Sequence, residues 1–115
     1  MDRKAVNEIC AALPGAELSD PWGGGHDAWK IGGKMFASIG VQDKGVAVKT
    51  ADIETAQMLI DAGVGVRAPY FHRSWVLLEW GDLDHAEAAH RIRVSYDLVR
   101  AKLTKKLQAS LPPAP

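Results

Sequence analysis

The sequence predicts an α+β domain, a two-layer sandwich in which helices cover one face of an antiparallel sheet. Two observations indicate this class. Apolar residues recur at helical spacing in three separate segments. Between these segments, apolar residues alternate with polar ones or form short runs separated by glycines, as in β-strands. The resulting order is helix, strand meander, helix, strand and helix, and nothing in it requires a second domain.

Each predicted helix has an apolar stripe and a plausible start or end. The first covers residues 2–13, with Asp2 as N-cap and Pro14-Gly15 as its end, and the second covers residues 52–62 and ends at Gly63. The third runs from residue 84 to 107. The stripes comprise Val6, Ile9, Cys10 and Leu13; Ile53, Ala56, Leu59 and Ile60; and Ala89, Ile92, Tyr96, Val99, Leu103 and Leu107.

Four strands are predicted. Three form a meander over residues 29–31, 35–39 and 46–48, joined by a two-residue turn at Gly32-Gly33 and a longer turn over residues 42–45. The fourth, Ser74–Trp80, is rich in aromatic and branched residues. We expect Trp75 and Tyr96 to be structural residues that pack where helix meets sheet. The domain is predicted over residues 1–108, followed by a flexible proline-rich tail over residues 109–115.

Composition narrows the class of protein. The chain has 115 residues, 47% hydrophobic and 24% charged, with a net charge of zero, so any affinity for nucleic acid must come from a local patch. No apolar run is long enough to span a membrane. The N-terminus lacks the apolar stretch of a secretory signal and Cys10 has no disulfide partner, which favours a cytoplasmic protein, with a monomer as the simplest state.

Spacing argues against several kinds of catalytic or metal site. Gly23-Gly24-Gly25 fits neither phosphate-binding glycine motif and is interpreted as a flexible loop. No two of the four histidines have the spacing of a helical metal pair, and Cys10 lies on an apolar helix face, as an inert thiol would. We therefore predict no metal, no cofactor and no catalytic residue.

Two groups of residues could bind a ligand. Lys30 and Lys34 flank the Gly32-Gly33 turn and Lys49 ends the next strand, where lysines can reach phosphates or simply keep strand ends soluble. The second group is aromatic and basic. It includes Trp22, His26, Trp29 and the segment from Tyr70 to Trp75, and such side chains can stack on bases, line a small-molecule pocket or belong to the core.

Several segments together resemble the MmcQ/YjbR family of small bacterial proteins, over nearly the whole chain. They are Leu13-Pro14-Gly15, Pro21-Trp22-Gly23, the segment from Lys30 to Ala37, Val48-Lys49, Ala68-Pro69-Tyr70, Trp75-Val76, the segment from Ser95 to Val99, and Lys102-Leu103. The resemblance implies a CyaY-like α+β fold and a DNA-binding role in which hairpins project as a double wing. The wing then corresponds to Lys30, Lys34, Lys49 and the segment from Tyr70 to Trp75. A frataxin-like iron site is not expected, because the first helix lacks an acidic ridge.

The leading hypothesis is a non-enzymatic protein that contacts DNA or another polyanion through Lys30, Lys34, Lys49 and Arg73. The alternative is a small-molecule site or enzyme built from Trp22, His26, Tyr70 and His72. A concave, partly apolar pocket with His26 or His72 opposite Lys34 would favour the alternative, whereas dispersal of those side chains on a convex surface would count against it.

Overall fold

The computed structural model describes residues 1–115 and contains four helices and one six-stranded antiparallel sheet. The helices are α1 (Arg3–Ala11), α2 (Ile53–Asp61), α3 (His85–Ala101) and α4 (Lys105–Ser110). The strands are β1 (Glu17–Ser19), β2 (Asp27–Ile31), β3 (Lys34–Ile39), β4 (Gly45–Lys49), β5 (Val66–Arg67) and β6 (Trp75–Glu79), in the spatial order β1-β2-β3-β4-β6-β5. The predicted α+β class is confirmed.

A side-chain cap begins each helix. Asp2, Asp52 and Asp84 accept hydrogen bonds of 2.7–2.8 Å from the backbone N–H three residues later, which satisfies a donor that the first turn leaves free. The last helix was predicted as one segment to residue 107, and this is wrong. The backbone amides of Lys102 and Leu103 donate hydrogen bonds to carbonyls three residues earlier, as in a 3₁₀ turn. This turn ends α3, and Thr104 caps the separate helix α4.

The main core lies between the sheet and the helices and comprises 17 buried residues. Tyr96 of α3 is fully buried there and meets Phe36 edge-to-face, with ring centroids 5.4 Å apart. A β-bulge between β2 and β3 leaves Phe36 without a partner in the register, so that Phe36 and Ala37 both enter this core. The hydroxyl of Ser95 donates to the Phe36 carbonyl at 2.6 Å and so ties α3 to the bulge.

The sheet face away from the helices, here called the open face, carries a smaller cluster of Ala47, Ala68 and Trp75, against which Met35, Phe71 and Leu77 pack. Tyr96 is buried between α3 and the sheet, as expected. Trp75 was expected on the same side of the sheet, and this is wrong. Val76 and Leu78 occupy the helix side, and strand alternation sends Trp75 to the open face, where its ring lies 4.8 Å from that of Phe71.

The two edge strands were not predicted. β1 has three residues and β5 has two, which is too short for an alternating pattern to be recognised. The chain after α4 lies against the domain at several points: Leu111 packs on the core, and Arg100 donates to the Pro112 carbonyl at 2.6 Å. No helix combines the length and apolar character that a membrane crossing requires.

Candidate ligand groove and basic end

A groove of about 770 Å³ crosses the open face. Its floor is a row of residues paired across adjacent strands. One wall is formed by the β1–β2 loop and the β3–β4 turn, and the other by β5 and the loop that follows it. The floor row comprises Ser38, Ala47 and Leu77, with Val66 at the β5 edge, and the walls include Trp22, His26, Val41, Pro69, Tyr70 and Phe71.

Small side chains create this depression. Ser38 pairs with Ala47, and Ala28 pairs with Ser38 from the other side, so three neighbouring strands present only small groups here. Larger residues begin at Leu77 and at the walls. Because interiors are otherwise close-packed, a row of small residues beneath tall walls leaves volume that a ligand can fill.

The walls expose large apolar side chains. Trp22 is 56% exposed, Val41 is 61% exposed and Tyr70 is completely exposed. Tyr70 has a φ of 70°, a left-handed conformation that is unfavourable for a residue with a side chain. Neither its exposure nor its backbone conformation stabilises the fold, and such a combination is typical of a binding residue.

Arg3 of α1 holds one wall together. Its guanidinium donates to Asp27 at 2.7 Å, to the Gly25 carbonyl at 3.2 Å and to the Gly40 carbonyl at 2.6 Å, and it reaches Asp43 at 3.3 Å. Gly25 belongs to the β1–β2 loop, Asp27 begins β2 directly after it, and Gly40 and Asp43 belong to the β3–β4 turn. Arg3 is therefore a positioning residue for the groove, although it does not line it.

The same contacts shift the pKa of Asp27. Partial burial acts to raise this pKa, but the hydrogen bonds from Asn7 and Arg3, together with the charge of Arg3, outweigh burial and hold the pKa below its ordinary value. Asn7 also accepts a hydrogen bond of 2.8 Å from the Trp29 indole. The network thus joins α1 to β2 beneath the wall.

Two polar side chains of the groove, Ser38 and His26, lack hydrogen-bond partners within the protein. The Ser38 hydroxyl makes no hydrogen bond within the protein, although the residue is only 4% exposed. His26 stacks at a tilt on Trp22, with centroids 4.9 Å apart, and its Nδ1 is buried without a hydrogen bond, 3.6 Å from Asp20. Lys44 and Glu79 line the end of the groove beside the β3–β4 turn.

At the opposite end of the sheet the fold collects the predicted lysines. Lys30 pairs with Met35 beside the Gly32-Gly33 turn, Lys34 begins β3, and Lys49 ends β4 opposite Trp75. Arg73 is exposed and lies two residues before Trp75. We call this region the basic end; it comprises Lys30, Lys34, Lys49, Arg73, Lys102, Lys105 and Lys106.

The last three of these cations reach the region through α3 and α4. A Cβ at Gly32 would lie 2.5 Å from Leu103 and 3.1 Å from Leu107, so the β2–β3 turn rests against the helix junction. The turn is thus packed on the helices and does not project freely as a wing would. Glu17 and Asp52 also lie at this end, whereas the carboxylates of Asp27 and Asp43 at the other end pair with Arg3.

Lys49 is the most constrained cation of the basic end. Its backbone N–H donates to Ser95, and its ammonium donates to the Ser74 hydroxyl at 3.3 Å. Burial, and secondarily the charge of Lys102, lower the pKa of Lys49. His72 Nδ1 accepts from the Ser74 amide and lies 2.8 Å from the Ser74 hydroxyl, so His72 belongs to this cluster.

The structure therefore divides the predicted site residues into two regions. Trp22 and His26 line one wall of the groove and Tyr70 lines the other, whereas His72, which was grouped with them, does not line it, and Lys34 lies at the opposite end of the sheet. Sequence reasoning missed Ser38 and Ala47, whose only signal is their small size among larger strand residues. No three His, Cys, Asp or Glu side chains converge as they would at a metal site.

The fold and its open-face groove define a small α+β domain with a ligand-sized depression, and comparison assigns it to a family. The YjbR family model matches residues 11–98, and the chain belongs to this family. A crystal structure of Deinococcus radiodurans protein DR2400, with the DUF419 domain, matches with a TM-score of 0.79 and 21% identity, covering 91% of this chain and 83% of that one. No curated protein matches significantly.

Proposed function

We propose that the protein binds polyanions, and nucleic acid in particular, through its basic end. The observation that best supports this is the convergence of cations from three distant parts of the chain on one end of a neutral domain. Lys49 strengthens it, because its ammonium donates to the Ser74 hydroxyl and forms no ion pair with a carboxylate, while burial and then the charge of Lys102 lower its pKa. A phosphate placed there would supply that charge.

The alternative hypothesis of a small-molecule site retains three of its four residues, since Trp22, His26 and Tyr70 line the groove. The groove favours binding over catalysis. Its one serine, Ser38, has no basic partner, and nucleophilic or acid-base chemistry needs such a pair within hydrogen-bond reach.

The test is fluorescence anisotropy with labelled duplex and single-stranded DNA over a series of salt concentrations. Direct phosphate contacts predict that log affinity falls by about 0.9 per log unit of salt for each phosphate neutralised on duplex DNA, and by about 0.7 on single strands. Lys34→Glu should weaken binding and reduce this slope by about one contact.

Lys4→Glu is the matched control. Lys4 is also an exposed lysine, but it lies on α1, away from the basic end, so the same change in net charge should alter affinity much less. An absence of binding at low salt with 100 μM protein, or equal effects of the two charge reversals, would overturn the proposal.

A further inference from the structure

We infer that the groove on the open face accepts an unpaired nucleobase, so that the protein prefers single-stranded over duplex nucleic acid. This groove is a different surface from the basic end. Binding of a nucleic-acid strand in it rests on the proposed function, whereas binding of a free nucleoside does not.

The shape of the groove fits a planar ring. Its volume of about 770 Å³ lies in the usual range for small-ligand sites, and its walls carry exposed aromatic side chains on both sides: Trp22 on one, Tyr70 on the other. Exposed aromatic side chains next to a cationic surface are a recurrent platform for stacking bases, and here both come from loops beside the sheet. The floor of Ser38 and Ala47 is small enough for a ring edge to approach the sheet.

The polar groups fit a base better than a hydrocarbon. A serine hydroxyl can both donate and accept a hydrogen bond, so Ser38 can pair with either type of group on a base edge. An apolar ligand would leave this hydroxyl without a partner in a desolvated site. A nucleobase supplies donors and acceptors around an aromatic ring and so satisfies both requirements.

The position of Lys49 fits the backbone that a base carries. Ala47 pairs with Leu77 on the groove floor, and Lys49 pairs with Trp75 in the next row on the same face. Two strand residues span about 7 Å, so the cation lies just beyond the groove on the open face. A strand with one base in the groove can therefore run its phosphates towards Lys49 and Lys30.

Base pairing would prevent this arrangement. A base inside a duplex hides both its stacking faces and its pairing edge, and bringing it into the groove would require unpairing and unstacking at a cost of a few kcal/mol. The groove thus distinguishes single strands from duplexes without recognising a sequence.

The experiment compares two single-stranded ten-mers of equal charge, oligodeoxythymidylate and an oligomer of abasic sites. Stacking of one base contributes about 1–3 kcal/mol, so the thymidylate strand should bind about 5- to 150-fold more tightly. Tyr70→Ala should reduce this ratio at least severalfold and leave the salt slope unchanged. Leu18→Ala, which removes an exposed apolar side chain outside the groove, is the matched control and should preserve the ratio.

The outcomes separate the two proposals. Equal affinities for both oligomers, weakened by Lys34→Glu, would overturn the groove inference and leave the basic end as the binding surface. A thymidylate preference that resists both Tyr70→Ala and Trp22→Ala would also overturn it. A preference that depends on Tyr70 but not on Lys34 would support the groove and overturn the basic end, and no binding of either oligomer would overturn both.

A nucleoside provides a test without phosphates. Thymidine, titrated into the protein and followed by amide chemical shifts, should perturb Ser38 and Ala47 and leave residues of α1 unaffected. Shifts confined to other surfaces, or no shifts at millimolar thymidine, would contradict the inference.

Discussion

Removal of the Tyr96 hydroxyl should destabilise the protein by an amount that the structure predicts. The hydroxyl donates to the Pro14 carbonyl at 2.6 Å and accepts from Arg100 Nη1 at 2.9 Å, inside a core where Tyr96 has no exposure. Tyr96→Phe keeps the ring against Phe36 but leaves the Pro14 carbonyl without this donor and removes one of the two hydrogen bonds that the buried Arg100 guanidinium makes. A bond to a charged group contributes about 1.5–3 kcal/mol, and each unpaired buried group is costly, so we expect a loss of about 2–3 kcal/mol.

The measurement is urea unfolding at neutral pH, with thermal unfolding as a second readout, in which this loss corresponds to a lowering of Tm by about 8–12 °C. The only other tyrosine, Tyr70, provides the control. It is completely exposed and makes no hydrogen bond through its hydroxyl, so Tyr70→Phe should change stability by less than about 0.5 kcal/mol. If the two variants unfold alike, the account of Tyr96 as the link between α3, the α1–β1 turn and Arg100 is refuted.

Three further predictions follow from burial and geometry. The pKa of Asp27 is lowered in the folded protein, so its carboxylate stabilises the fold above the unfolded-state pKa of about 3.9, and this stabilisation is lost as pH falls through the folded-state pKa. The free energy of unfolding of Asp27→Asn should therefore fall less steeply than that of the parent between about pH 5 and 2. Burial raises the pKa of Cys10 to about 12, so a thiol reagent at pH 8 should label it only at the rate of unfolding, and immediate labelling of native protein would contradict this. Gly32→Ala should destabilise more than Gly33→Ala in urea unfolding, because both glycines have positive φ but only the first would place a Cβ against leucine side chains; equal losses would count against the packed turn.

Local signals account for the parts of the fold that could be predicted. Asp2 and Asp52 mark helix starts because a short carboxylate placed three residues before a free amide caps it wherever the helix later packs. The stripe through Ile92, Tyr96 and Val99 similarly identifies the buried face of α3. The face occupied by Trp75 could not be derived this way, since alternation says which residues share a side and not which side the helices cover.

The groove depends on strand register, which is why only part of it could be predicted. Ser38, Ala47, Leu77 and Val66 lie far apart in the chain and become neighbours only when β3, β4, β6 and β5 align. From the sequence, Tyr70 and Trp22 could have belonged either to a pocket or to the core, and their positions on opposite walls follow from the crossover that places β6 between β4 and β5. The basic end was easier to predict, because turns and strand ends are visible in sequence.

The groove also depends on a contact that lies outside the family match. All its lining residues, and Lys30, Lys34 and Lys49, fall within residues 11–98, whereas Arg3 precedes that span. In the sequence Arg3 stands beside Lys4 on a helix and has nothing to distinguish it. In the fold it pairs with Asp27 and Asp43 and donates to the Gly25 and Gly40 carbonyls. These four acceptors need more N–H donors than the three of a lysine ammonium, and a guanidinium has five. Arg3 of α1, which does not itself line the groove, therefore holds together the wall that the β1–β2 loop and the β3–β4 turn form.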